Sequence, residues 1–132
     1  MPMDLDRRVR DRLDRDRNVW LCTLRPDGSP HVTPVWFLYR EDTFWVGSAA
    51  RNRKVRNIDA DPRVSLALEN GDAPVVAEGR ATVLRADFPA EIVYAFHGKY
   101  AGWDVTVPVP GEGPRTLLRI PVTRWLLAGR AR

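Results

Sequence analysis

The sequence holds one cysteine, two histidines and no uninterrupted apolar run of membrane-spanning length. A lone thiol, Cys22, rules out an intramolecular disulfide and a cysteine-based zinc site. Within Val19-Trp20-Leu21-Cys22-Thr23-Leu24 it reads as a buried structural thiol. His31 and His97 lack the four-residue helical spacing of a zinc pair, and no compact histidine-carboxylate cluster accompanies them, so no metal is expected. No Ser-His-Asp arrangement is evident either, which fits chemistry that requires no dedicated nucleophile. The start, MPMDLDRRVR, has charge but no apolar core of a signal peptide. A membrane helix needs roughly 18 apolar residues in a row, so no membrane partner is expected and the cytoplasm is the default location.

What is present is ordinary globular composition: 132 residues, 44% hydrophobic and 29% charged, one domain over 1–132 by length. The net charge of +4 favours anionic partners, whether nucleic acid, membrane surface, or a phosphorylated cofactor or substrate.

Hydrophobic periodicity divides the chain into short elements. Residues 4–16 carry Leu5, Val9 and Leu13 on one helical face, with Asp4 placed to cap and the arginines facing water. Val19 to Arg25 is a strand, Pro26-Asp27-Gly28 a turn, and Ser29 to Arg40 the returning strand. Pro30 and Pro34 lack the donor that an interior ladder needs, which sends part of that strand to an edge, a bulge or a ligand. Glu41-Asp42 turns the chain into Thr43 to Gly47. A helix over Arg51 to Asp59 stops at Asp61-Pro62. Strands follow over Arg63 to Glu69 and Pro74 to Arg85, the latter bulged at Gly79. A helix from about Pro89 to Tyr100 presents Ile92, Val93 and Phe96 to a core. The proline- and glycine-rich stretch to Pro114 is a loop, and Thr116 to Ala128 is a last strand bent at Pro121. About six antiparallel strands with small helices imply a closed or nearly closed α+β barrel, which hides its edges.

The densest charge, Arg51, Arg53, Lys54 and Arg56, lies on the helix after the apolar Thr43-Phe44-Trp45-Val46. Arg51, Lys54, Val55 and Ile58 share one broad sector, while Arg53 and Arg56 point the other way. With the Ser48 hydroxyl just upstream and the donors of the helix N-terminus, this is a cradle for a phosphate. The alternative is a solvated helix whose cations pair with Asp59, Asp61 or Glu69. Spacing alone leaves both open.

Three segments carry a resemblance: Gly28-Ser-Pro-His-Val-Thr-Pro-Val-Trp-Phe37, Phe44-Trp-Val-Gly-Ser48, and Lys54-Val-Arg-Asn-Ile-Asp-Ala-Asp-Pro-Arg-Val-Ser-Leu66. In order and spacing they resemble the pyridoxamine 5'-phosphate oxidase-like flavin and deazaflavin oxidoreductases, most of all the branch that uses coenzyme F420. The resemblance implies a split β-barrel acting as a homodimer, with two cofactor sites at the interface. It puts the cofactor's phosphate on Ser48, Arg51 and Lys54, and its ring system along Thr33, Pro34, Val35 and Trp36. A flat ring against that strand would account for its two prolines. The surplus charge of Arg53, Arg56 and the first helix suits the longer F420 anion better than FMN. Relatives that carry haem leave a non-catalytic carrier as another reading, with His31 as either an axial ligand or a hydrogen-bonded strand residue.

The implied reaction is hydride transfer between the reduced cofactor and an electrophilic carbon of a small unsaturated substrate. No catalytic side chain is assigned: Tyr100 and His97 are nominal proton donors that can equally be packing residues. Trp36 is the ring-wall residue, or barrel core. Trp20, Trp45 and Trp125 belong to the core or a dimer interface. The loop from Trp103 to Pro114 is placed to cover a substrate pocket. Nucleic acid is not expected, because Trp36, Phe37 and Tyr39 form a buried-type run rather than a stacking platform interleaved with cations.

Overall fold

The computed structural model describes residues 5–131. Along the chain lie α1 (Arg7–Arg15), β1 (Val19–Leu24), β2 (Pro30–Val35), β3 (Leu38–Arg40), β4 (Thr43–Ala49), α2 (Arg53–Ala60), β5 (Arg63–Leu68), β6 (Val75–Arg80), β7 (Thr82–Leu84), α3 (Ala90–Lys99) and β8 (Arg115–Ala128). The strands pair antiparallel in the order β2-β1-β5-β6-β8-β4-β3, with β7 also on β8. β8 joins the two halves. Its residues up to Pro121 pair with β4, and those from Val122 pair with β6. Pro121 offers no donor, and the next N–H, of Val122, turns to Asp42 O at 2.8 Å. The outermost strands, β2 and β3, are joined by Trp36 and Phe37 alone, so the curled sheet is an α+β split barrel whose split lies between them.

Eight strands stand where about six were expected. Ser29 to Arg40 breaks at Trp36-Phe37. Pro74 to Arg85 breaks at Ala81, whose N–H donates to Pro62 O at 2.8 Å. β2 pairs with β1 only, the edge position that Pro30 and Pro34 require. Gly28, at φ +84°, closes the first hairpin by donating to Arg25 O at 2.8 Å. Glu41 and Asp42, at φ 50° and 58°, make the second as a two-residue turn in the left-handed region. Gly79 sits at a register shift between β6 and β8, where a Cβ would come within 2.6 Å of Pro121 O.

The main core, including Leu21, Phe37, Phe44, Val46, Val55, Leu66 and Leu118, fills the barrel, and α1 covers it with Val9 and Leu13, joined by Leu5 just before the helix. Asp4 lies outside the described residues. Asp6 caps α1, its carboxylate accepting the Arg8 N–H at 2.7 Å. Arg12 departs from the solvent-facing expectation, since its Nη1 donates to Ala73 O at 2.6 Å. A second cluster joins α3 to the loop that follows it, through Ile92, Phe96, Tyr100, Val105 and Leu117. Cys22 is half-buried, not buried: β1 turns Val19, Leu21 and Thr23 inward, and parity puts Cys22 on the outer face opposite Val32. No helix among the described residues is long and apolar enough to cross a membrane.

Candidate functional site

The register of β1 against β2 pairs Thr23 with His31, Leu21 with Thr33 and Val19 with Val35. His31, Thr33 and Val35 therefore share the inward face of β2, while Pro30, Val32 and Pro34 are exposed. His31 Nδ1 and Thr33 Oγ1 are buried without a hydrogen-bond partner in the protein, and so is Asn57 Oδ1. Asn57 lies buried on α2 and donates through Nδ2 to Thr23 Oγ1 at 3.0 Å, tying α2 to β1. That tie is a physical reason for asparagine three positions after Lys54. An orphaned buried polar atom costs about 1–3 kcal/mol, so a polar ligand here would recover energy the fold leaves unspent.

α2 begins at Arg53, which moves Arg51 off the helix into the preceding turn. The N-cap is Asn52, whose side chain makes no bond to the helix and instead donates to Ser48 Oγ at 3.0 Å. Ser48 is buried at the end of β4 and its carbonyl accepts from Thr116 Oγ1 at 2.8 Å. Along α2, Val55 and Ile58 are buried, Lys54 is half-buried, and Arg53 and Arg56 are exposed, the sectors expected from the helical period. Burial lowers the Lys54 pKa, Arg115 lowers it further and Glu112 opposes. Burial likewise lowers that of His31, helped by Arg25, Lys54 and Arg53, so the imidazole is neutral at pH 7. The inner face of β2, the start of α2 and the start of β8 thus share one positive field.

The acids expected to neutralise that field are engaged elsewhere. Asp61 pairs with Arg63 and Asp59 with Arg85, each at 2.7 Å. Glu69 accepts from Asn18 at 3.3 Å. Among the described residues, Arg51, Arg53, Lys54 and Arg56 make no ion pair.

Arg115 is a functional candidate that the sequence reading missed. Half-buried, it donates from Nε to Val105 O at 3.2 Å and lies 5.7 Å from the Trp103 ring centroid. The available signal is its place directly after Gly-Glu-Gly-Pro114, where a proline- and glycine-rich loop must rejoin the sheet. That loop is anchored at both ends. Val105 is fully buried, Ala50 N–H donates to Pro114 O at 2.8 Å, and the Arg51 side chain lies against Gly113. Thr106 to Glu112 is exposed. Beneath this exposed part, a cleft of about 420 Å³ runs between Thr106, Pro108, Arg85, Phe88 and Val93, with Arg115 in its wall.

Trp36 turns away from β2. It stacks on Tyr100 at 4.5 Å and 7°, meets Trp103 edge-on at 5.3 Å, and carries the Arg17 guanidinium 4.5 Å from its centroid. The Tyr100 hydroxyl is used by the backbone: it accepts from Phe37 N–H at 2.8 Å and lies 2.9 Å from both Phe37 O and Arg17 O. Phe37 O also accepts from Lys99 Nζ at 2.9 Å, and the hydroxyl proton has two carbonyl acceptors in reach, Phe37 O and Arg17 O. Tyr100 is therefore a packing and clamping residue, and His97 is exposed on α3. Tyr100→Phe should cost about 1–3 kcal/mol, because it orphans the buried Phe37 N–H. Urea denaturation would read this, and an unchanged midpoint would mean that the break is held by Lys99 alone.

Of the seven residues expected to hold a cofactor, Thr33 shares the inward face of β2 with His31, whose imidazole feels the Lys54 charge, Ser48 joins the start of α2 through Asn52, and Arg51 lies beside the loop end. Val35 packs on the main core, Pro34 faces outward and Trp36 belongs to the α3 cluster. Chemically, the first four with Arg115 suit an anion: Thr33 Oγ1 has no partner, and Arg51 and Lys54 make no ion pair among the described residues.

The pyridoxamine 5'-phosphate oxidase family matches residues 5–128. No curated protein matches the chain. Among solved structures, an F420 reductase is 22% identical, covering 95% of this chain and 98% of its own, with a TM-score of 0.72. A conserved hypothetical protein from Mycobacterium tuberculosis is 25% identical over 93% of this chain and 83% of its own, with a TM-score of 0.72. A haem-storage protein from Vibrio cholerae is 15% identical over 98% of both chains, with a TM-score of 0.77.

Proposed function

Because the chain belongs to the pyridoxamine 5'-phosphate oxidase family, we propose that it is an oxidoreductase that holds coenzyme F420 and serves hydride transfer to or from an unsaturated small molecule. The observation that carries this reading is the unneutralised set Arg51, Arg53, Lys54 and Arg56 next to the partnerless Thr33 Oγ1 and His31 Nδ1. A bound deazaflavin would supply the hydride-carrying ring. Ser48, Arg51 and Lys54 would hold its phosphodiester, and an anion there offsets the burial that disfavours the Lys54 cation. Arg53 and Arg56, exposed beyond that point, suit the longer anionic tail of F420 and would find no partner on the single phosphate of FMN. FMN is the alternative cofactor.

Thr33 supplies an inward hydroxyl, and Pro34, without an N–H, keeps the open edge of β2 from pairing with another strand. Trp36 stacked on Tyr100, with Trp103 edge-on to both, fills the far end of the split and excludes water there. The reading includes a homodimer, supported by the apolar outer face where Trp20 opposes Pro34 and Val32 is 53% exposed.

A haem carrier is the second reading, favoured by the neutral His31 with its free Nδ1 and by the fold shared with a haem-storage protein. Reduced F420 mixed anaerobically with the protein and a panel of activated alkenes and imines separates the two. Return of the oxidised-cofactor absorbance supports the oxidoreductase. Haem binding with a histidine-ligated spectrum, lost in His31→Ala and without turnover, supports the carrier.

A further inference from the structure

Of 21 basic side chains only Lys54 and Lys99 are lysines, and both are half-buried. Lys54 belongs to the anion site, but Lys99 lies away from it at the last position of α3. Its Nζ sits 3.8 Å from the Phe37 ring centroid and donates one hydrogen bond, to Phe37 O. Lys99 also lines a cleft of about 480 Å³ between α1, β3 and α3, with Leu13, Leu38 and Ala95 as apolar walls and Asp14 and Arg40 as charged ones.

We propose that this cleft is a Schiff-base site, in which Lys99 condenses reversibly with a short aldehyde carrying a carboxylate. A cleft of this size takes a small molecule. Arg40 offers the planar pair of donors that a carboxylate prefers, and the apolar walls leave room for a short stem. With one hydrogen committed to Phe37 O, the neutral amine keeps its lone pair for a carbonyl carbon. Attack forms the C–N bond and moves the carbonyl π pair onto oxygen. The Asp14 carboxylate carries one proton from nitrogen to that oxygen, the resulting hydroxyl takes the second and leaves as water, and the C=N bond forms. One aldehyde and one amine give one imine and one water, with no oxidant or reductant. Burial against Phe37 lowers the Lys99 pKa to about 8, with Asp14 and Asp16 opposing, so neutral amine is available near neutrality. The adduct would form independently of any bound cofactor.

The test is reductive trapping on the full chain: glyoxylate with sodium cyanoborohydride at mildly alkaline pH, then proteolysis and mass mapping. With two lysines and one terminal amine, each product has a unique peptide. The expected result is a secondary amine on Lys99 ahead of Lys54 and the terminus, lost in Lys99→Arg and severalfold lower in Arg40→Ala. Propionaldehyde, lacking the carboxylate, should label Lys99 more slowly than glyoxylate does. Because Lys99 also clamps Phe37 O, Lys99→Arg is compared by circular dichroism, and if it fails to fold the wild-type map decides alone. An adduct on Lys54 or the terminus as fast as on Lys99, no adduct on Lys99, or labelling indifferent to Arg40 and to the carboxylate would overturn the proposal.

Discussion

Lys54→Ala weakens cofactor binding by about 1–3 kcal/mol, roughly five- to 150-fold in dissociation constant, the scale of a hydrogen bond to a charged group. The direction follows from how Lys54 sits. It is half-buried, its pKa is lowered by burial and by Arg115, and no carboxylate pairs with it among the described residues. Its charge costs the empty protein stability. A cation whose folded pKa is lowered carries that penalty below the folded pKa and sheds it as pH rises towards the unfolded value. Alanine should therefore leave the empty protein as stable as before or more so, while the complex loses its anion contact. Arg124→Ala is the control, since Arg124 is equally charged and exposed but lies on β8 outside the site. A dissociation constant unmoved by Lys54→Ala, or moved equally by Arg124→Ala, would put the anion elsewhere.

Gly47→Ala destabilises the fold by about 1–3 kcal/mol through overpacking. An added Cβ would lie 2.3 Å from Val105 Cγ2 and 3.2 Å from the Trp103 ring. Val105 is fully buried and cannot swing aside, so the anchored end of the loop must lift from β4. A lower urea midpoint with an unchanged slope is the expected reading. Trimming the neighbour in Gly47→Ala/Val105→Ala should give a loss smaller than the sum of the two single losses. Strict additivity would mean that the strain is relieved somewhere other than Val105. Because Arg115 Nη2 is 3.3 Å from the same added atom, the anion site should feel the change as weaker binding too.

The parts of the molecule legible in the sequence were those governed by local rules. Two prolines without donors marked β2 as an edge, and the helical period sorted Lys54 from Arg53 and Arg56. Gly79 marked a bulge because another backbone passes close to it. What was misread depends on partners distant in sequence. The break at Trp36-Phe37 is clamped by Tyr100 and Lys99, more than sixty positions away, and nothing in the run Val35 to Tyr39 announces it. Local helix compatibility predicts Arg51 on α2, whereas the helix begins at Arg53, after the contact between Asn52 and Ser48. The apolar neighbours of Cys22 predict a buried thiol, but strand parity decides its face. Arg115 joins the site only because β8 returns beside β4, a pairing across the whole barrel.

The most direct measurement is a parallel titration of the purified, cofactor-stripped protein with F420, FMN and haem, followed by quenching of tryptophan fluorescence and repeated with Lys54→Ala. Trp36 and Trp103 flank the split, so a bound ring should be visible to them. The expected result is tightest binding of F420, lost or strongly weakened in the variant. Tighter binding of FMN or haem, or affinity indifferent to Lys54, would contradict it.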